Sequence, residues 1–263
     1  MKTAKISIGI TIMLLLLSGV EVHAQLGGLF EKAKEKASKA IEKKVDKNTV
    51  STKPKAIISS GNSNIVIGDS AMLTEDFSAF ETGATATSFK TNGVAGIVTI
   101  NGQKGKWMDI KDKAIYKFSR QLNYPKQFTL SFDIIAIADQ IKDIAPMSFG
   151  FASDNSVRQH ESNIGTYVQL HYYDTDQVNI GSNKPEKFVG TTFDLAPWLD
   201  RPLHVVLSVN GEQMAVYLNN IKLADTVLFS PGAAKNFYIS APWQYDNGAK
   251  VLVSNFQVAG FKK

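Results

Sequence analysis

The stretch from Leu203 to Thr226, LHVVLSVNGEQMAVYLNNIKLADT, decides the fold class. Apolar residues occupy every second position from Leu203 to Val209 and again from Met214 to Leu218, and Asn210-Gly211 and Asn219-Asn220 follow these runs. Period-two apolar spacing bounded by residues that tolerate positive φ is typical of strands joined by tight hairpins. The stretch therefore predicts three antiparallel strands in a meander.

Similar short segments fill the chain on both sides of the meander, whereas helical patterns there stay within two turns. The other predicted strands are Met72–Phe77, Gly96–Asn101, Lys106–Ile110, Ala114–Ser119, Phe128–Ala138, Met147–Ser153, Thr166–Tyr173, Lys187–Asp194, Asn236–Ser240 and Lys250–Ala259. Gly83–Gly93 is predicted as a long loop, and the run from Phe128 to Asp139 as a long central strand. Many short strands with regular turn signals predict an all-β fold, an antiparallel jelly-roll sandwich.

The N-terminus has the pattern of an export signal. Two lysines precede an apolar run from Ile6 to Leu17, and Val22-His23-Ala24 supplies small residues where a signal peptidase cleaves. A retained membrane anchor is the alternative, but the run is shorter than the roughly 18 to 20 residues that a spanning helix needs. We predict a signal peptide over residues 1–24, an exported protein in the periplasm or at the cell surface, and no transmembrane segment in the mature chain.

Residues 25–48 are rich in Lys, Ala and Glu and predict an amphipathic helix. Its thin apolar stripe comprises Phe30, Ala33, Ala37, Ile41 and Val45. A solvated tether, a helix that self-associates or pairs with a partner helix, and a helix resting on an anionic surface all fit this pattern. Residues 49–64 are polar and predict a linker, which leaves residues 65–263 as the jelly-roll domain.

Charge and cysteine content exclude several function classes. The chain has a net charge of +5, and residues 25–55 alone contain nine lysines against four acidic residues, also +5. The compact domain is therefore nearly neutral and lacks the basic face of a nucleic-acid-binding domain. There is no cysteine, which excludes disulfides, thiolate metal sites and a cysteine nucleophile.

Several segments resemble the concanavalin A-like lectin/glucanase superfamily, in its laminin-G-like branch. They are LTEDFSAFETG at 73–83, QFTLSFDIIA at 127–136, the meander, and the closing NFQVAG at 255–260. The arrangement of signal, LGGLF helix, linker and EDFS domain is also similar to secreted Bacteroidetes proteins related to the outer-membrane protein A family. Those proteins usually continue into a peptidoglycan-binding domain, whereas this sequence stops at Lys263, so that activity is not carried over.

The glucanases of the superfamily use a strand motif E-x-D-x-x-E, whose two carboxylates perform double-displacement hydrolysis. No E-x-D occurs in this sequence. Asp133 is the nearest acidic residue on a strand, and we interpret it as structural and near a sheet edge. The expectation is a protein that is not an enzyme.

Metal-binding patterns are weak. His160-Glu161 and His171 lack the spacing of a metal motif and are interpreted as surface residues. Asp174 and Asp176 alternate in YYDTDQ and are candidate Ca²⁺ ligands, although a hairpin turn explains the same residues. No other cofactor is expected.

Aromatic residues beside polar ones mark the candidate ligand site. Sugar rings stack on exposed aromatic faces while polar neighbours bond their hydroxyls. The candidate residues are Trp243, Tyr245, Asp246 and Asn247 in the loop APWQYDNG, with Tyr172 and Tyr173 at another strand end. Structural packing explains these residues too, and Trp107 and Trp198 are expected in the core.

The predicted function is an exported, non-enzymatic envelope protein with a jelly-roll binding module for a glycan or another envelope component. A structural or tethering protein without a small ligand is the alternative, followed by a carbohydrate-active enzyme. Nucleic acid is not an expected partner.

Overall fold

The computed structural model describes residues 65–158, 160, 163–173 and 176–262. The predicted signal peptide, helix and linker lie outside these residues. The strands are β1 (Ser70–Glu75), β2 (Phe89–Thr91), β3 (Ala95–Val98), β4 (Trp107–Ile110), β5 (Ile115–Phe118), β6 (Gln127–Ile137), β7 (Met147–Ala152), β8 (Thr166–His171), β9 (Gln177–Asn183), β10 (Glu186–Thr192), β11 (Leu203–Asn210), β12 (Gln213–Leu218), β13 (Ile221–Val227), β14 (Asn236–Ser240) and β15 (Lys250–Gly260). Ile141–Asp143 and Ala196–Trp198 form single 3₁₀ turns, and no helix within the described ranges is long and apolar enough to cross a membrane.

The strands form two antiparallel sheets, as the all-β prediction required. Sheet A has eight strands in the order β13-β12-β11-β6-β15-β4-β3, and β1 also pairs with β15. Sheet B has seven strands in the order β10-β9-β8-β7-β14-β5-β2. The long strand predicted from Phe128 is β6, which lies in the middle of sheet A between β11 and β15.

The predicted three-stranded meander is confirmed, and its first turn is centred on Gly211-Glu212, one residue beyond the predicted Asn210-Gly211 pair. Asn210 pairs with Gln213 across a two-residue loop in which Gly211 has φ of 63°, as a type II′ turn requires. Asn219 and Asn220 have φ of 45° and 64°, the positive pair of a type I′ turn. Both turn types match the twist of antiparallel strands, which fixes the register of β11, β12 and β13.

The core fills the space between the two sheets. Alternate residues of β6, β11 and β14 point into it, and the rings of Phe132 and Phe256 stack with centroids 5.3 Å apart. Trp198 packs against this core while partly exposed. Trp107 is buried elsewhere, in a small cluster with Ile135 and Leu252.

Two strands and one position differ from the sequence prediction. β2 lies inside the stretch predicted as a loop, because three residues acquire strand geometry only by pairing with β5. β9 was not predicted, since its apolar alternation is limited to Val178 and Ile180 before Gly181. The placement of Asp133 near a sheet edge is wrong: it lies on the central strand β6.

Candidate functional site

The predicted ligand residues lie at one end of the sandwich, in the loops after β8 and β14. Trp243 is 56% exposed, and the Lys113 Nζ lies 5.7 Å from its ring centroid in a cation–π contact. Tyr245 is half-buried, and its hydroxyl donates a hydrogen bond of 3.0 Å to the carbonyl of Ile110. Tyr172 is 1% exposed and part of the core, so no ring face is open to a ligand. Tyr173, the next residue, is exposed.

The polar members of this loop hold the loop itself. The Asn247 Nδ2 donates to Asp143 Oδ1 at 3.0 Å, and the Asp246 amide donates to the Asp143 carbonyl at 2.8 Å. The Gln244 Nε2 donates to Asp246 Oδ1 at 2.7 Å. These bonds join the loop to the turn that contains the buried Asp143. Hydrogen bonds within the loop therefore account for Asp246 and Asn247, the polar residues that the sequence suggested as ligand contacts.

Burial keeps the phenols of Tyr172 and Tyr245 neutral. Burial raises the pKa of Tyr172 above the ordinary tyrosine value. Burial also raises the pKa of Tyr245, and the nearby hydroxyls of Tyr116 and Tyr172 and the carboxylate of Asp109 add to the effect. Neither phenol ionises near neutral pH, so neither supplies a charge to a ligand.

Among the described residues no three His, Cys, Asp or Glu side chains lie together as a metal site would require. The carbonyl of Asp176 accepts a hydrogen bond of 2.7 Å from the Phe193 amide, which extends the pairing of β9 with β10 by one residue. Asp174 and Glu161 lie outside the described residues. His160 Nε2–H donates to the carbonyl of Ala241 at 3.0 Å.

A second group of residues forms a surface that the sequence did not indicate. It consists of nine outward-facing residues of β8, β9 and β10 in sheet B, which we call the open face; Asn183 and Glu186 lie on the same side of these strands, beyond the open face. In register across the three strands, the open face contains the rows Tyr167–Gly181–Phe188, Gln169–Asn179–Gly190 and His171–Gln177–Thr192. Their inward-facing neighbours, such as Val168 and Ile180, belong to the core.

Aromatic rings border the first row. Phe188 is 64% exposed, although it lies on a strand that pairs along its full length with β9. The Tyr167 hydroxyl lies over Gly181, 2.5 Å from the position that a Cβ atom would occupy. A side chain at Gly181 would collide with this phenol, so glycine leaves the space that the phenol occupies.

The other two rows form a hydrogen-bonded set of amides around His171. The His171 Nε2 lies 2.9 Å from both Gln169 Oε1 and Asn179 Nδ2. A protonated Nε2 donates to Gln169, whereas an unprotonated Nε2 accepts from Asn179, so one nitrogen serves only one of these bonds at a time. The Gln177 Nε2 donates to Asn179 Oδ1 at 3.0 Å and extends the set toward the exposed edge.

The described residues of the segment after β7 (153–158, 160 and 163–165), which we call the strap, cover the neighbouring part of sheet B. Its residues Val157 and Ile164 pack on Ile115, Ala152 and Tyr238. At its end nearest the open face, Ser148 Oγ donates to Asn163 Oδ1 and Asn183 Nδ2 donates to the Asn163 carbonyl, both at 3.0 Å. The buried Lys117 Nζ donates to the Asp154 carbonyl at 2.8 Å. The strap therefore packs on β5 and β14, and its described residues leave the outer face of β8 to β10 open.

Sequence reasoning interpreted His171 as a surface residue without a metal motif and gave it no partner. Its neighbours Asn179 and Gln177 belong to β9, the strand that was not predicted. The available signal was Phe188, an aromatic residue between Lys187 and Gly190 in a polar strand. Recognising it required knowing that β10 is an edge strand with its outer face uncovered.

No protein-family model matches the sequence, and no curated protein sequence matches it. Solved structures do resemble the fold. A sialidase superposes with a TM-score of 0.51 and 16% identity over 74% of this chain, which spans only 19% of the sialidase chain. The exoplasmic/lumenal domain of VIP36 superposes in its metal-free form with a TM-score of 0.51 and 9% identity, over 69% of this chain and 90% of that one.

The Ca²⁺/Man-bound form of VIP36 gives a TM-score of 0.51 and 10% identity, over 67% of this chain and 84% of that one. At these identities the likeness concerns the fold alone. It agrees with the concanavalin A-like architecture that the sequence indicated. The described part of the chain is a sandwich of two antiparallel sheets with a fold similar to that of these structures.

Proposed function

We propose that this chain is an exported, non-enzymatic binding module whose open face holds a glycan. The observation that carries the proposal is the exposed ring of Phe188 beside the hydrogen-bonded set formed by Gln169, His171 and Asn179. A sugar ring has apolar C–H faces and a rim of hydroxyls, and this surface offers a partner for each.

Amide side chains suit sugar hydroxyls because each amide both donates and accepts, as a hydroxyl does. The outward-facing residues of the three rows include no Asp, Glu, Lys or Arg. A ligand on these rows therefore meets dipoles rather than fixed charges, which favours neutral sugar units over acidic ones. The Ca²⁺/Man-bound form of VIP36 supports the proposal, because it is a domain of similar fold with a sugar bound.

The non-enzymatic part rests on the missing E-x-D-x-x-E motif and on the surroundings of Asp133. This carboxylate belongs to the other sheet, where its Oδ1 lies 2.6 Å from His204 Nδ1 and its Oδ2 accepts from Asn255 Nδ2 at 2.7 Å. Both oxygens are used in these contacts. The predicted export signal at residues 1–24 supports a location in the cell envelope.

A glycan array probed with the purified chain, followed by calorimetric titration of the best hit, tests the proposal. We expect binding that Phe188→Ala and Asn179→Ala each weaken about tenfold, since stacking and buried polar contacts each contribute on the order of 1 kcal/mol. Ile221→Ala, at an exposed apolar residue of sheet A, is the matched control and should leave the affinity unchanged. An array without hits, or a hit that neither open-face variant weakens, would refute it.

A further inference from the structure

A cleft of about 400 Å³ opens at the end of the sandwich opposite the Trp243 loop. It lies between the start of β8, the turn that joins β9 to β10, and the segment that joins β13 to β14. Its volume falls within the range of roughly 300 to 1,000 Å³ that is usual for small-molecule sites. None of its lining residues belongs to the three rows of the open face, so this cleft is a separate site.

The interior of the cleft is apolar and aromatic. Phe151 and Phe229 line it, with ring centroids 5.7 Å apart and planes at 64° to each other. Both rings are almost entirely buried, so only limited ring surface faces the opening. Ala233 and Ala234 complete this part, and their small side chains leave room for a planar group. An apolar ring of about benzene size fits this lining by chemistry and by volume.

The polar lining is cationic. Lys184 lines the cleft together with Ser153, Asn183 and Ser230, and the described lining residues include no Asp or Glu. The Lys184 amide donates to Ser182 Oγ at 3.2 Å, which ties the backbone beneath the ammonium to β9. Glu186 lies two residues further along the same hairpin but does not line the cleft. A ligand with one negative group therefore complements this site better than a neutral or cationic one.

We propose that this cleft binds a small aryl carboxylate, with the ring against Phe151 and Phe229 and the carboxylate paired with the Lys184 ammonium. The hydroxyls of Ser153 and Ser230 lie in the same lining and donate to the second carboxylate oxygen. The apolar lining lowers the local dielectric constant around the ion pair between the Lys184 ammonium and the carboxylate. The aromatic contact therefore strengthens the charge contact.

The test compares phenylacetate with neutral phenylacetamide, titrated into the full chain and followed by saturation-transfer NMR and calorimetry. We expect phenylacetate to bind about three- to tenfold more tightly than the amide, a range that allows for the exposure of Lys184. Lys184→Met should remove this preference while keeping the apolar stem, and Lys187→Met on the same hairpin is the control that should keep it. Equal binding of the two probes, a preference that survives Lys184→Met, or no saturable binding would overturn the proposal.

Ala233→Phe locates the site independently of charge. A phenyl ring at this position fills the cleft, so binding of both probes should fall below detection while thermal unfolding shows a folded chain. Undiminished binding to a folded Ala233→Phe variant would place the probe elsewhere and overturn the proposal. If this variant does not fold, the comparison of Lys184→Met with Lys187→Met still tests the proposal.

Discussion

The Tyr167 hydroxyl oxygen lies 2.5 Å from the position that a Cβ atom would occupy on Gly181. This relationship joins β8 and β9, because the phenol lies across the neighbouring strand. On the far side of Gly181, the register places the exposed Phe188. The Tyr167 phenol therefore fills the space above Gly181, on the same face of the sheet as the Phe188 ring.

Gly181→Ala should lower the free energy of unfolding by about 1 to 3 kcal/mol, the usual range for inserting a methyl group into a filled space. The new Cβ would meet Tyr167 Oη at 2.5 Å and the Lys187 carbonyl at 2.8 Å, and the latter is backbone that does not move easily. Urea unfolding measures the change. Gly190→Ala is the control, since its nearest contact is a Phe188 ring atom at 3.5 Å, and a larger loss at Gly190 than at Gly181 would contradict the account.

Trp243→Ala should leave glycan affinity within about twofold of the unchanged chain, although this loop was the site that the sequence favoured. The variant removes the cation–π contact with Lys113, which should cost roughly 0.5 to 1 kcal/mol of stability. Calorimetric titration beside Phe188→Ala separates the two surfaces. Lost binding in Trp243→Ala with normal binding in Phe188→Ala would place the ligand at the loop end.

Asp133→Ala should destabilise the chain by about 1 to 3 kcal/mol, because His204 Nδ1 and Asn255 Nδ2 lose their partner. Asp133→Asn keeps an oxygen for one of the two neighbours and should cost less. Chemical denaturation gives both values. Glycan binding should be unchanged in both variants, since Asp133 belongs to sheet A, and weakened binding by a fully folded variant would show that sheet A takes part.

Stability should fall as the pH rises above about 10. Burial raises the pKa of Tyr116 to about 12 and raises the pKa values of Tyr124, Tyr172 and Tyr245 above the ordinary tyrosine value of 10.0. Above pH 10 the unfolded chain releases protons that the folded chain retains, so the stabilising contribution, complete below pH 10, is lost as the pH rises toward the folded pKa values.

Urea midpoints measured from pH 8 to 11.5 check this expectation. The free energy of unfolding should be flat with respect to these groups below pH 10 and should then decline by up to roughly 1.4 kcal/mol per pH unit for each tyrosine. Tyr172→Phe removes one of these groups, so the slope of the free energy of unfolding against pH should be smaller by the contribution of about one proton. A free energy of unfolding that stays level or rises between pH 10 and 11.5 would show that folding does not raise the pKa values of these tyrosines.

Local patterns were sufficient for the fold class. The alternation from Leu203 to Val209 and the two turns that follow it depend on side-chain period and on residues that accept positive φ, both of which are properties of neighbouring residues. They predicted the meander and its turns. The adjacent Tyr172 and Tyr173 show the limit of such patterns. Both were predicted as ligand-site residues, but only Tyr173 is exposed.

The sequence by itself determined that the described part of the chain is an all-β sandwich, because strand period and hairpin turns are encoded within a few residues. Tertiary structure alone decided which faces stay open. Tyr167 and Phe188 meet Gly181 only through the pairing of β8, β9 and β10, and the strap covers β5 and β14 through contacts between distant segments. Alternation shows which residues share a face of a strand, but the coverage of that face depends on segments far away in the sequence.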